Sequence, residues 1–549
     1  MRNGGESLTI HAYHQRTKHG YGRFAAGPRF LDWATQPFPF RLFAGAPTVE
    51  LPFSAGSLPV AFHTLHAPGA IPPKDLGLEA LGAFLHLGLG LTAVKEGGGV
   101  RWALRANPSS GNLHPTEGYL LWPGSRGLRP GVYHYVPRNH LLEGRALLEE
   151  GTVLPWRGFF AGLTAIPWRE AWKYGERAYR YVLLDAGHAL ASLRYAAAAL
   201  GWDLRTDLRW PDAWGESLLG LDRERDFRAA ERESFELLAW VSPPGSLPPD
   251  PSEVRRALQG AAWKGQANRL STTRTPWEAV DRALAAARTP EGLQEEPAPP
   301  ALPRLPALLP PARDRRAAEV ILGRRSGVAY DGRTAIPREA FLRMADALLP
   351  RPGVPPWDAL PGEPRVHALF FAHRVEGLAP GLYLLPRRAS ALPLLRRALP
   401  EGFSFREAEG APPHLGLLLL REGDLRREAR HLSCGQEIAS HSAFAVSFLA
   451  EFDPGVRERP WTYRWLHAEA GAAGQALYLW AEAEGFRGTG IGCFFDDEVH
   501  RFLGLRGEAL QVLYHFTVGT ALEDPRLATL PPYGHLPPRP SPPLTRGTR

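Results

Sequence analysis

The chain has 549 residues and a net charge of +7, and 44% of it is apolar, enough to bury more than one core. Only five of its 64 basic residues are Lys (Lys18, Lys74, Lys95, Lys173 and Lys264), and the Arg residues are interleaved with Asp and Glu, which argues against a nucleic-acid face. Cys434 and Cys493 cannot supply a disulfide framework or a zinc site, the opening MRNGGESLTIHAYHQ has no apolar signal core, and no run reaches the ~18 apolar residues of a membrane span, so a cytoplasmic, metal-free protein is expected.

In chain order, EGYLLWP (117–123) and GVYHYVP (131–137) read as short strands between turn residues. An Ala-rich helix follows at 185–200, stopped by Gly201. SPPGSLPPDP, from Ser242, breaks any helix or central strand. Helical patches at about 252–262 and 276–287 lead into the Pro-rich run EEPAPPALPRLPALLPPA (295–312), an extended linker. HALFFAHR, GLYLLP, LGLLLLRE and LQVLYHFTVGT then read as strands, with a second Ala-rich helix at 468–484 before Gly485. Both helices are apolar on nearly every face and should be buried between other layers. Strands do not alternate strictly with crossover helices, which favours α+β. The closing PPYGHLPPRPSPPLTRGTR is expected to be mobile at its end.

The chain carries one unit twice. Shifting residues 179–201 by 284 positions lays YRYVLLDAGHALASLRYAAAALG on YRWLHAEAGAAGQALYLWAEAEG without a gap, with 9 of 23 positions identical. Chance gives about two or three at this composition. The same shift puts Leu219-Gly220-Leu221 on Leu503-Gly504-Leu505, and an offset of 250 puts GLRPGVY (127–133) on GLAPGLY (377–383). Alanine bias can imitate the helical match but not one punctuated by Gly and Pro. Two copies are expected, at 1–250 and 314–530, with a helical and Pro-rich linker at 251–313 and a tail at 531–549.

RANPSSGNLHPTEGYL (105–120) sets Pro108, Ser109, Ser110, Gly111 and Asn112 on one tight turn before a strand. Its hydroxyls and amides can bond the polar edge of a planar ring, although an ordinary Ser/Gly loop reads the same way in isolation. GRRSGVAY (323–330) offers Arg324, Arg325 and Ser326 to a phosphate, or a solvated surface pair, and Arg526 can join the same phosphate. GFRGTGIGCFFDDEVHRFLGL (485–505) holds Gly488, Gly490 and Gly492, where backbone amides can approach a flat ligand. It follows a helix, so it reads as a loop and not as a dinucleotide fingerprint. Asp496, Asp497 and Glu498 read as the first turn of a helix, not as a metal site. WKYGERAYRY (172–181) sets Lys173 beside Tyr174, either a base with a partner donor or a surface Lys, and His188 reads as a core histidine.

The Arg-x-Ser lead-in, the Pro-Ser-Ser-Gly-Asn turn, the buried helix, the Gly-rich stretch and the late Arg together resemble the nitroreductase-like FMN oxidoreductases. PSSGNLHPTEGYL, KYGERAYRYVLLDAGHAL and GTGIGCFFDDEVH resemble their thiazoline/oxazoline oxidase branch, the SagB-type dehydrogenases, and the likeness spans both copies. It implies two α+β protomers, antiparallel sheets flanked by helices, that clasp FMN at their interface. Here both would lie in one chain, a pair that needs no second subunit. The resemblance implies the FMN phosphate on Arg324, Ser326 and Arg526, the ring flanked by Pro108, Ser109, Ser110 and Gly490, and Lys173 with Tyr174 removing substrate protons. Members often carry a basic residue two positions after the Ser, where this chain has Val328.

The expected activity is two-electron oxidation of a small molecule or modified peptide, an azoline by the subfamily likeness, with oxygen or another acceptor downstream. An NAD(P)H-dependent nitro- or quinone reductase and a flavin-free peptide-binding pseudo-enzyme are the alternatives. The copies also divide the parts. At the shift of 284, Gly488, Gly490 and Gly492 fall on Leu204, Thr206 and Leu208. At 250, Pro108 to Asn112 fall on Asp358 to Gly362, and at 265, Arg324 to Ser326 fall on Pro59 to Ala61. One FMN per chain is therefore expected.

Overall fold

The computed structural model describes residues 8–152, 154–292 and 302–537. Part of the expected Pro-rich linker (293–301) and the expected mobile end of the tail (538–549) lie outside the described residues. In the first copy, β1 (Thr116–Trp122), β2 (Gly131–Val136), β3 (Leu141–Leu147), β4 (Phe159–Ala165), β5 (Asp203–Thr206) and β6 (Ser234–Ser242) form an antiparallel sheet in the order β3-β2-β1-β4-β6-β5. Thr48–Glu50 and Ala262–Trp263 both add to β3. In the second, β7 (Val366–Ala372), β8 (Gly381–Leu385), β9 (Leu418–Glu422), β10 (Phe444–Glu451), β11 (Arg487–Ile491) and β12 (Leu510–Gly519) repeat that order as β9-β8-β7-β10-β12-β11. The fold is α+β, two tandem units of one topology, as the sequence indicates.

Strand residues divide by the period of two. Leu120 and Trp122 of β1 join the large central core, whereas Tyr119 and Leu121 join a smaller outer cluster. Ala368 and Phe370 of β7 likewise face the centre, and Leu369 and Phe371 face outward. Both faces are covered, so these runs read as continuously apolar.

The five helices that matter here are α1 (Pro167–Tyr174), α2 (Ala178–Ala199), α3 (Asp212–Leu219), α4 (Thr462–Ala483) and α5 (Asp496–Leu503). All of α2 is buried, and so is most of α4. Both begin a turn or more before the Ala-rich segments expected from the sequence. Their first turns carry Tyr and Arg, whose rings and guanidinium groups are buried against the other copy. The two helices cross backbone to backbone. A Cβ on Gly187 would strike the carbonyl of Ala468, and one on Gly471 would strike the carbonyl of Leu184. Gly187 and Gly471 are related by the shift of 284, as are Tyr179 and Tyr463, whose rings stack 6.5 Å apart. The copies therefore meet about a pseudo-twofold axis.

Two ion pairs obey the same symmetry. Arg180 on α2 donates to Asp496 at the start of α5 (2.7 Å), and Arg464 on α4 donates to both oxygens of Asp212 at the start of α3 (2.8 and 2.9 Å). Each pair joins one copy to the other, and all four side chains are buried. Asp496 also accepts from Arg177 (2.8 Å) and from the backbone N–H of His19 (2.8 Å). Its pKa is therefore held well below the carboxylate range: burial opposes ionisation, and the two guanidinium groups override it. It does more than complement the dipole of α5.

One expectation is corrected. The stretch around Gly488 and Gly490 is not a loop but the edge strand β11, paired with β12 and bridged on its free side by Ser326. Glycines weaken a strand, and here they are tolerated because Tyr514 and Phe516 of β12 lean into the space their side chains would fill. After the second copy, Ala528–Leu530 crosses back to pair with Leu91–Gly97 of the first, and the Tyr533 hydroxyl accepts the Leu91 N–H (2.8 Å). Residues 278–286 form a helix that packs on the first copy. Among the described residues no helix is long and apolar enough to cross a membrane.

The helix crossing predicts that Gly471→Val forces α2 and α4 apart, lowering stability by about 1–3 kcal/mol or more. Gly402, with nothing near its missing Cβ and no left-handed backbone, is the control. Thermal melts should show a drop for Gly471→Val and none for Gly402→Ala; equal melting temperatures would contradict the crossing.

Candidate active site between the two copies

The site is built first from α1 and the turn after Arg105. Gly175 breaks α1 from α2 with a positive φ of 56°, at a place where a Cβ would run into Ala26. That break lays Lys173 and Tyr174 over the turn: a Cβ on Gly111 would lie 2.6 Å from the Tyr174 hydroxyl and 3.1 Å from Lys173 Nζ. Gly111, Asn112 and His114 all hold left-handed backbone. The Ser109 hydroxyl accepts the His114 N–H (2.8 Å), Asn112 bridges the Ala103 carbonyl (3.0 Å) and the His114 ring (2.9 Å), and Arg169 donates to the His114 carbonyl (2.6 Å). Pro108 opens this turn.

Two buried carboxyls lie beneath it. Asp185, on α2, accepts from the Ser110 N–H (3.1 Å) and hydroxyl (3.1 Å) and has no cation partner among the described residues. Burial pushes its pKa up to about 7 against the pull of the Ser109 and Ser110 hydrogen bonds. Glu170, one helical turn before Lys173, has both oxygens buried without a hydrogen-bond partner. Burial, and then the charge of Asp185, hold its pKa well above the usual range.

The second copy reaches into the same place. Arg324 donates to the carbonyls of Arg105 (3.0 Å) and Ala106 (3.2 Å), at the mouth of the turn, and its guanidinium lies 5.0 Å from the Tyr478 ring centroid. Arg325 donates to the Thr92 carbonyl (2.9 Å) and hydroxyl (3.2 Å), again across the copies. Neither Arg makes an ion pair among the described residues. Burial lowers both pKa values, and the proximity of other guanidiniums, Arg487 included, lowers them further, Arg325 to about 10. Ser326 shares a hydrogen bond with the Tyr478 hydroxyl (2.9 Å), which also accepts the Gly490 N–H (3.0 Å). A Cβ on Gly490 would strike the Tyr514 hydroxyl, and that hydroxyl pairs with His188 (3.0 Å). Burial keeps His188 neutral, its pKa at about 3, in line with a core histidine.

The structure thus brings Pro108, Ser109, Ser110, Asn112, Lys173, Tyr174, Arg324, Arg325, Ser326, Gly488 and Gly490 to one region. Gly492 lies at its edge against Tyr181, whose ring is 4.6 Å from that of Tyr174. Arg526 is not brought in. Its side chain is 86% exposed and its fork is closed on Asp524 (2.7 and 2.9 Å). Val328 is exposed as well. Sequence reasoning missed Asn107, Glu170, Asp185, Tyr478 and Tyr514. A lone Asp within the apolar YVLLDAGHAL was a signal for Asp185; Glu170 offered none.

The symmetry-related position is filled differently. The shift of 284 carries Tyr478 to Arg194, which is closed on Asp358 by two bonds of 2.8 Å and donates to the carbonyls of Trp202 and Gly353. Gly490 becomes Thr206, whose hydroxyl donates to the Ala359 carbonyl (2.8 Å). Pro68 packs against Gly353 there. Asp185 becomes Glu469, neutralised by Arg387.

Residues 436–520 match the nitroreductase family. No curated protein sequence matches the chain. Among solved structures, a protein from Anabaena variabilis ATCC 29413 assigned as a nitroreductase is similar over 94% of this chain and 100% of its own, at 23% identity and a TM-score of 0.67. That likeness establishes a nitroreductase fold running through both copies. One from Ralstonia eutropha JMP134 with the same assignment covers 42% of this chain and 100% of its own, at 19% identity and a TM-score of 0.27. The E. coli microcin synthetase McbBCD complex, with truncated pro-MccB17 bound, covers 31% of this chain and 64% of its own, at 20% identity and 0.25.

Asp185 makes stability depend on pH. Its carboxyl ordinarily titrates at 3.8 and here at about 7. Between those values the folded chain keeps a proton that the unfolded chain has lost, so its contribution is present at low pH and fades as pH rises to about 7. Asp185→Asn keeps an acceptor for the Ser110 N–H and removes the charge. The variant should therefore gain on the parent in melting temperature between about pH 5 and pH 8; parallel curves would contradict the buried carboxyl.

Proposed function

We propose that the chain is an FMN-dependent two-electron oxidoreductase with one active site assembled from both copies, acting on an azoline carried by a peptide. The observation that carries this reading is the meeting of Arg324, Arg325 and Ser326 from the second copy with the Pro108–Asn112 turn and Lys173–Tyr174 from the first. The residues suit the cofactor. Arg324 is a buried cation and Arg325 a half-buried one, neither with a counter-ion among the described residues, which a phosphate dianion would supply, and one Arg324 nitrogen is an orphan donor. Asn107 Oδ1 and His114 Nδ1 are buried without partners beside the turn, suited to the polar edge of a flat ring, and Gly488 and Gly490 leave backbone where side chains would block it.

Bound FMN supplies the two-electron acceptor. The protein supplies position and proton transfer. Lys173, half-buried beside the turn, accepts a proton from the substrate atom next to the C–H that is oxidised. The Tyr174 hydroxyl is kept protonated by burial, first of all, and remains a donor at the same spot. The azoline substrate rests on the likeness of the turn, the Lys-Tyr segment and the Gly-rich stretch to the azoline oxidases.

Anaerobic mixing of the flavin-loaded protein with an azoline-containing peptide should bleach the absorbance near about 450 nm, and NADPH should not. Bleaching by NADPH with the peptide inert would make the chain a nitro- or quinone reductase instead. Lys173→Ala should keep its flavin and slow that bleaching by roughly 100- to 10,000-fold, whereas Arg324→Ala should lose flavin. An unchanged rate in the first would remove Lys173 from the mechanism.

A further inference from the structure

Cys434 and Cys493 are the only two cysteines of the chain, 59 positions apart, and the fold sets their sulfurs 2.8 Å from each other. Both are partly exposed, so a small molecule can reach them. Cys434 occupies the turn after Leu432 with a φ of +56°, a backbone that residues other than Gly seldom hold. The Gly435 N–H, donating to the Arg430 carbonyl (2.9 Å), and the Ser433 N–H, donating to the Ala429 carbonyl (3.1 Å), keep it there. Cys493 follows Gly492. Its carbonyl accepts from Gln436 (3.1 Å), and the Gly492 carbonyl accepts from Arg177 (3.2 Å) and the Tyr181 hydroxyl (3.3 Å).

The surroundings of the two sulfurs are unequal. His19 accepts the Ala25 N–H on Nδ1 (3.0 Å) and lies close enough to Cys493 to act on its thiol. The close pairing of the two sulfurs, then His19 and Arg177, draw the Cys493 thiol down against its burial, and the same pairing together with burial pushes Cys434 up.

We propose that Cys434 and Cys493 form a redox-active dithiol that exchanges with low-molecular-weight disulfides, Cys493 attacking and Cys434 resolving. Cys493 gives up its proton, and the thiolate attacks one sulfur of RSSR, forming a mixed disulfide and expelling one RS⁻, which takes up that proton. Cys434 then attacks Cys493 Sγ, closing the internal disulfide and expelling the second RS⁻, which takes up the thiol proton. The balance is protein dithiol plus RSSR giving protein disulfide plus two RSH. Closure ties the turn after Leu432 to the end of β11, next to Tyr181 and Tyr174.

The test uses the full chain and oxidised glutathione, read by intact mass and peptide mapping. The parent should lose two hydrogens and carry no adduct. Cys434→Ser should accumulate one glutathione on Cys493, and Cys493→Ser should react at least about tenfold more slowly than the parent. A parent that carries stable adducts, or that keeps both thiols, would overturn the proposal, as would a Cys493→Ser variant reacting at the parent rate.

Discussion

The structure depends on one close contact, the crossing of α2 and α4 where Gly187 and Gly471 let two backbones touch. No side chain stands between the copies at that point, so they share a core instead of abutting as separate domains. The first turns of the same helices carry Arg180 and Arg464, each neutralised by the other copy's Asp496 or Asp212. A buried ion pair of this kind is a weak source of stability, but breaking one leaves an uncompensated charge. It therefore specifies the register at which the copies meet. That register is what brings Arg324 from one copy against the Pro-Ser-Ser turn of the other.

Within this symmetric frame the chemistry is asymmetric. On one side stand Tyr478, Gly490 and Asp185; at the related positions on the other stand Arg194, Thr206 and Glu469. Arg194 and Asp358 neutralise each other, and Glu469 is met by Arg387, so the second side is electrically closed. On the first side Arg324 and Asp185 are buried, and Arg325 half-buried, with no ion-pair partner among the described residues, and Glu170 is buried with no hydrogen-bond partner for either oxygen. Groups left in that condition cost stability, and a structure retains them where a ligand or a reaction uses them.

Much of this was legible in the sequence because it is local. The duplication, both central helices, the main strands and the Pro108–Asn112 turn follow from periodicity and from Gly and Pro punctuation. The Gly488–Gly490 stretch was misread as a loop because glycine lowers strand propensity, and the aromatic side chains of β12 that fill the gaps are more than twenty residues away. The state of Asp185 was hidden for a different reason. Its pKa is raised by burial with no cation beside it to offset that, which only three dimensions disclose. Arg324 was chosen as a phosphate ligand, but its reach into the first copy, and the rejection of Arg526 to solvent on Asp524, depend on packing. The meeting of Cys434 and Cys493 likewise follows from β11 and the turn after Leu432 sharing one end of the second copy.

The central claim is that one ligand site is divided between two copies while its symmetry mate is closed. Flavin released by heat from the purified, FMN-saturated chain, measured against protein concentration, tests it most directly. The account predicts one FMN per chain, reduced by changes in either copy, at Ser109 or at Arg324. Two FMN per chain, or one retained by the first copy expressed without the second, would contradict it.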